Sequence, residues 1–204
     1  MRVRVLGSFA GILHSDRWKP YALYSPRMRQ ICHSHLRRDI QAVIDRGGID
    51  KALGERWLAL SNAMFHEWHA YERAELDGPG LSARIAPILS DWQAVARKAT
   101  AAESSKTRAL GKSMLELWPA MWNFLQFEGV QPTNNEAERA QRKGVKIRKN
   151  TFGSTSPEGA RMIGHFLTVL GTAKRQGVRF VQCLVETREA FLRGVHGPAL
   201  LLSG

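Results

Sequence analysis

The stretch KALGERWLALSNAMFHEWHAYERAEL, residues 51–76, sets the character of the fold. Leu53, Trp57, Leu60, Met64, Trp68 and Tyr71 recur every three or four positions, the spacing that gathers side chains on one face of a helix. The stripe predicts a helix with one face in a core, stopped at Asp77-Gly78-Pro79-Gly80 by residues that break the backbone ladder. Before it, Leu36, Ile40, Val43 and Ile44 repeat the pattern until Gly47-Gly48. After it, helices are expected over about 81–101 and about 104–126, ending before Gly129 and Pro132. Ser156-Pro157-Glu158 supplies a cap and a first-turn proline for another helix, with Met162, Phe166, Val169 and Leu170 on one face and Gly177 at its end. A last helix is expected from Phe180 to Arg193, burying Val181, Leu184 and Val185, with Gly194 as its stop. Only AGILHSD (residues 10–16) and RQICH (29–33) read as strands. The expected fold class is α+β and mostly helical.

The 204 residues are enough for one domain with a sizeable core, or for one domain with a helical appendage. Lys and Arg outnumber Asp and Glu by 30 to 18, a formal charge of +12, which favours a polyanionic partner such as nucleic acid. Ribosome-associated and membrane-surface proteins share this bias. Two cysteines, Cys32 and Cys183, cannot form a disulfide framework and fit a reducing cytoplasm. The opening MRVRVLGSF has no apolar core of a secretory signal, and the apolar run Pro198 to Leu202 is far shorter than the roughly 20 residues of a membrane span. A soluble protein with no membrane partner is expected.

The stretch richest in chemistry is Pro132-Thr133-Asn134-Asn135-Glu136-Ala137-Glu138-Arg139-Ala140-Gln141-Arg142. It reads as a helix opening in which Thr133 is the N-cap and Glu136, three residues on, completes a capping box. Asn134, Glu138 and Arg142, spaced by four, share a face. Taken alone, that spacing reads as an ordinary salt bridge on a solvated helix, worth a few tenths of a kcal/mol. Asp16, closing a strand candidate, reads alone as a turn or capping aspartate. Two further patterns fail on spacing. His66-Glu67-Trp68-His69 places its histidines three apart where a zinc protease needs four. Gly111-Lys112-Ser113 resembles the end of a phosphate-binding loop, but Lys106 stands where its first glycine belongs. No G-x-S-x-G elbow is present.

The order T-N-N-x-x-E-R-x-x-R, then R-K-N, then F-G-S-x-x-x-x-G-A resembles the catalytic-glutamate region of insertion-sequence 66 transposases. Here it is Thr133 to Arg142, Arg148-Lys149-Asn150, and Phe152-Gly153-Ser154 with Gly159-Ala160. Gly11-Ile12-Leu13-His14-Ser15-Asp16, with Tyr21 after it, is similar to that family's strand ending in the second catalytic aspartate. Cys32-His33-Ser34-His35-Leu36-Arg37-Arg38 is similar to its C-W-A-H-x-R-R, with His33 in place of tryptophan.

The resemblance implies a partial ribonuclease-H-like catalytic core with a helical insertion. Residues 1–46 would form the partial core, 47–130 the insertion, 131–194 the glutamate helix and carboxyl-terminal helices, and 195–204 a tail. It implies Asp16 and Glu138 as catalytic metal ligands, with Cys32, His35, Asn134 and Asn135 as active-site support. A structural zinc on Cys32 and His35 would need four ligands, and the sequence offers no second pair at metal spacing. In such folds three carboxylates hold two divalent ions roughly 3.5–4 Å apart, and Mg2+ or Mn2+ suits all-oxygen ligands.

The run Arg139, Arg142, Lys143, Lys146, Arg148 and Lys149 reads either as a solvated face or, beside a site acting on DNA, as phosphate contacts. Residues 1–15 hold no Asp or Glu, so the first aspartate of the set has no counterpart there. The expectation is a truncated transposase, inactive alone. The alternatives are a non-catalytic DNA-binding module or a regulator of an intact transposase, and a chain complemented by an upstream transposase fragment. The expected location is the prokaryotic cytoplasm, associated with the nucleoid, with DNA as partner and oligomer formation open.

Overall fold

The computed structural model of the chain describes residues 9–150 and 156–195, with Lys19, Glu136, Ala140, Gln141, Lys143, Ile147 and Arg148 described by backbone alone. The chain divides into two compact units, Met1–Asn134 and Asn135–Gly204.

Among its described residues the first unit has two short strands, β1 (Leu13–Ser15) and β2 (Arg29–Ile31), paired in parallel with Leu13 opposite Arg29 and Ser15 opposite Ile31. Both lie within the expected strand segments but are shorter, because a helix, α1 (His33–Arg46), starts immediately after Cys32. Parallel strands cannot be joined by a tight hairpin. The crossover here uses two 3-10 turns, Lys19–Leu23 and Pro26–Met28, each with a proline in its first turn.

β2 is wholly buried although two of its three residues are polar, and burial of that kind demands partners. The Arg29 guanidinium donates to Ser15 Oγ from Nε (3.3 Å) and from an Nη (3.2 Å), and to the Asp16 carbonyl (3.2 Å). Gln30 donates to the Met121 carbonyl (3.1 Å) and accepts from the Phe124 amide (2.9 Å). Asn123 returns the favour by donating to the carbonyls of Pro26, Arg27 and Arg29. The strand is thus stapled to a segment more than ninety residues away.

α1 buries Leu36, Ile40 and Val43 and stops at Gly47 and Gly48, both at φ +69°, a conformation that costs glycine little. α2 (Lys51–Glu72) buries Trp57, Leu60, Met64 and Trp68, with Leu53 and Tyr71 partly buried, so the stripe read from sequence is a core face. α3 (Gly78–Ala99) is capped by Asp77, whose carboxylate accepts from the Gly80 amide (2.7 Å). α4 (Ser105–Glu116) crosses α3 closely enough that a Cβ at Gly111 would lie 2.8 Å from the Ala96 carbonyl oxygen.

The single helix expected over 104–126 is broken. α4 ends at Glu116, and a short α5 (Trp118–Met121) and a 3-10 turn (Asn123–Leu125) follow. The cause is Pro119, which lacks an amide hydrogen and disfavours helix in the residue before it. The break is what allows Met121 to Phe124 to present backbone groups to β2.

Among the described residues the second unit holds three helices, α6 (Asn135–Asn150), α7 (Pro157–Arg175) and α8 (Phe180–Leu192). Ser156 caps α7 by accepting from the Gly159 amide (3.0 Å), as expected, and Gly177 and Gly194 take positive φ after α7 and α8. The expected core face of α8 is overturned. Val181 is 71 % exposed, and Leu184 and Val185 are also exposed, while Cys183 and Ala190, seven apart, are the buried residues. On α7, Met162 and Phe166 are likewise exposed and Ala173 is buried. Close helix packing selects small residues for the contact and leaves larger apolar ones outside it. Among the described residues no helix is long and apolar enough to cross a membrane.

Candidate active site

Asp16 follows β1 directly and is half-buried. Its Oδ1 accepts the backbone N–H of Trp18 (2.9 Å), the local turn that a free aspartate makes after a strand. Oδ2 accepts no hydrogen bond among the described residues. A carboxylate held through one oxygen presents the other to a cation, so Asp16 fits as an oxygen ligand for Mg2+ or Mn2+. Beneath it lies the buried Arg29, whose pKa is pulled down by burial and drawn back up by the charges of Asp16 and Tyr21.

Cys32 is fully buried at the end of β2. Its backbone N–H donates to the Ser15 carbonyl (2.8 Å), which extends the strand ladder by one bond beside Asp16. Its Sγ accepts the backbone N–H of Asn134 (3.3 Å), and the next amide, that of His33, donates to the Pro132 carbonyl (2.9 Å). A hydrogen bond from His14 to the backbone of Thr133 adds a third tie; burial lowers the His14 pKa, and that bond partly offsets the effect. The peptide from Pro132 to Asn134 is therefore fixed against the ends of both strands, 102 residues along the chain from Cys32. His35 lies half-buried in the first turn of α1.

α6 begins at Asn135, so Asn134 rather than Thr133 stands immediately before it. Asn134 closes the first unit, and Asn135 opens the second. The Glu136 side chain, on which the capping box depends, lies outside the described residues. Glu138 is half-buried on α6, while Arg139, Arg142, Lys146 and Lys149 on the same helix are exposed. The side chains of Lys143 and Arg148 lie outside the described residues, as do Phe152-Gly153-Ser154 and the tail from 196 onward.

His33, where the sequence departs from the tryptophan of the resembling motif, is completely buried. Its ring lies among Phe65, Trp92, Trp122 and Phe124, with centroids 5.1–6.3 Å away, and its Nε2 donates to the Met121 carbonyl (2.9 Å). Burial lowers its pKa to about 4, with the Met121 bond opposing and the nearby Arg37 charge assisting, so it is a neutral core residue. Sequence reading missed the polar set Ser15, Arg29, Gln30 and Asn123. The one available signal was a cation inside a strand segment, at Arg29.

The family model described as "Transposase IS66 family" matches residues 2–162, well over half of the chain. The chain belongs to the IS66 family of transposases. It is similar to the uncharacterized protein y4qI of Sinorhizobium fredii (strain NBRC 101917 / NGR234), with 26% identity over 206 aligned positions covering 94% of this chain. The chain spans 38% of that relative's length. No solved structure matches it.

Proposed function

We propose that the chain contributes Asp16 and Glu138 to a DDE-type site that cleaves and joins DNA strands at the ends of an insertion sequence. The observation that carries this reading is the tie from Cys32 to Asn134. It fastens the peptide leading into the glutamate helix beside the strand end that bears Asp16. The parallel pair β1–β2 would be part of a ribonuclease-H-like sheet, and residues 47–130 its helical insertion.

Asp16 and Glu138 would hold Mg2+ or Mn2+, which when bound activates the attacking oxygen and stabilises the leaving one. Cys32, His35, Asn134 and Asn135 would brace the two carboxylates. Arg139, Arg142, Lys143, Lys146, Arg148 and Lys149 would hold the sugar-phosphate backbone, giving affinity without sequence readout. The first carboxylate of the set would come from an upstream transposase segment or an intact transposase, since residues 1–15 contain no Asp or Glu. The charge of +12 also supports a second reading, a DNA-binding regulator without catalysis.

Manganese titration of the purified chain, followed by electron paramagnetic resonance, tests the assignment. Asp16→Asn and Glu138→Gln are each expected to weaken binding by about tenfold or more, near the loss of one charge-assisted ligand contact. Glu136→Gln is expected to leave it unchanged. Unaltered binding in both Asp16→Asn and Glu138→Gln sinks the metal site. Plasmid nicking by the chain completed with its upstream partner, lost in either variant, separates the enzyme from the regulator.

A further inference from the structure

Immediately beside Asp16 the first unit carries a cleft of about 580 Å3, lined by Arg17, Trp18, Arg29, Asp39, Arg46 and Lys106 among others, with Glu116 at one edge. Its size lies within the roughly 300–1,000 Å3 of small-ligand sites. Four cations face two carboxylates there, so the lining is net positive.

The cations divide into two groups. Arg17 is committed to Asp39, donating to Oδ2 (2.6 Å), and to Ser113 Oγ (3.0 Å), and Arg29 is committed beneath Asp16. These two shape the floor. Arg46, which donates to Thr107 Oγ1 through one nitrogen (3.2 Å), and Lys106, exposed on the first turn of α4, keep donors toward solvent. Trp18 stands at the mouth with 62 % of its surface exposed, its ring in an edge contact with Tyr21 at 5.9 Å. A large aromatic surface left in water beside cations is the pairing that binds single-stranded nucleic acid, in which a base stacks on the ring and the phosphate meets the cation.

We propose that this cleft binds an unpaired nucleotide of the DNA strand, with its base stacked on Trp18 and its phosphate on Lys106 and Arg46. The proposal rests on the reading of the protein as a DNA-strand-processing enzyme and adds a subsite to it. Because Asp16 Oδ1 holds the Trp18 amide, the stacking ring is tethered two residues from the carboxylate. A base pulled out of the duplex onto Trp18 would thereby fix the neighbouring phosphodiester relative to Asp16. Unstacking a base costs a few kcal/mol in a duplex and little at a frayed or single-stranded end. The cleft therefore selects strand termini and overhangs.

The test uses the full chain and two fluorescein-labelled probes, a blunt hairpin duplex and the same hairpin with an unpaired oligothymidylate tail, read by anisotropy. The tailed probe is expected to bind more tightly. Trp18→Ala is expected to weaken it by about 5- to 150-fold, the range of one lost base stack, and to leave the blunt probe unchanged. Trp18→Phe is expected to retain most of the preference. Lys106→Gln should lower the salt slope on the tailed probe by about 1. Circular dichroism melts confirm that these exposed substitutions leave the fold intact. A wild type with no preference for the tail, or a preference that survives Trp18→Ala, overturns the proposal while leaving duplex binding and the metal site standing. A polyglutamate peptide that displaces the tail as well as free oligothymidylate does assigns the cleft to acidic peptides and overturns it too. Failure to bind either probe removes the DNA reading itself.

Discussion

The two units spend their apolar residues in opposite ways. In the first, Trp57, Met64, Ile85, Trp92 and Met114 have no exposed surface, and His33 is packed among four aromatic rings. In the second, the buried positions of α7 and α8 are Ala173, Cys183 and Ala190, while Val181 and Phe191 (81 % exposed) stand in water. Burial of large side chains is the main source of folding free energy, so the first unit is built to be stable by itself, whereas α7 and α8 draw little from their own large apolar residues. The aspartate is carried by the first unit, whereas the glutamate and the basic run are carried by the second. Substitutions in the core of the first should therefore show as unfolding, and those on the outer faces of α7 and α8 should cost little stability.

The sharpest test of that contrast is Trp92→Ala, which removes a fully buried ring that packs on His33 and Trp122. A loss of about 3–5 kcal/mol is expected in urea unfolding, the range for deleting a buried aromatic side chain. A loss below about 1 kcal/mol would mean that the core is far looser than its burial implies.

The next effect is one of pH and comes from His33. Its folded pKa of about 4 lies below the ordinary 6.5, so between these values the unfolded chain binds more protons than the folded one. Its contribution is whole above pH 6.5 and shrinks as pH falls toward 4, by up to about 3 kcal/mol. Urea midpoints measured across this window should fall with acid, and His33→Phe should flatten that part of the profile. An unchanged slope in the variant would remove His33 as the cause.

The smallest effect is expected on the outer face of α8. Val181→Thr should shift stability by no more than about 0.5 kcal/mol, the ordinary span for exposed sites. A larger destabilisation would show that this face is covered in solution, and would bring the two units closer to one design.

Most of the helical organisation was legible because two signals agree at each boundary. Gly47-Gly48, Asp77 to Gly80 and Ser156-Pro157 mark ends that the apolar spacing had already suggested, and the helices stop and start there. The break at Trp118-Pro119 carried its own signal, but the apolar residues on both sides suggested continuity. The face of α8 was illegible for a different reason. Periodicity reveals which residues share a face, and only packing decides whether that face or the one with Cys183 and Ala190 is covered. At the candidate site, motif order pointed to Asp16, Cys32 and the Pro132–Asn135 segment. The bond from Asn134 to the Cys32 sulfur, spanning 102 residues, and the support of Asp16 by Arg29 depend on tertiary placement that no local pattern encodes.

The staple between β2 and the Met121 to Phe124 segment also orders events in time. Gln30 and His33 find their partners at separations of 91, 94 and 88 residues. Closing a loop of that length is entropically costly, whereas the hairpins of α1 with α2 and of α3 with α4 need only short closures. The buried amide of Gln30 and the ring of His33 consequently lack these distant hydrogen bonds until the helical block has formed and delivered its far corner. During synthesis, where the chain emerges at about 5–20 residues per second, the strands must wait roughly 5–20 seconds for that corner to be made. The aspartate-bearing strand pair is thus translated before the helical block and consolidated after it, and that block acts as the timer for its completion.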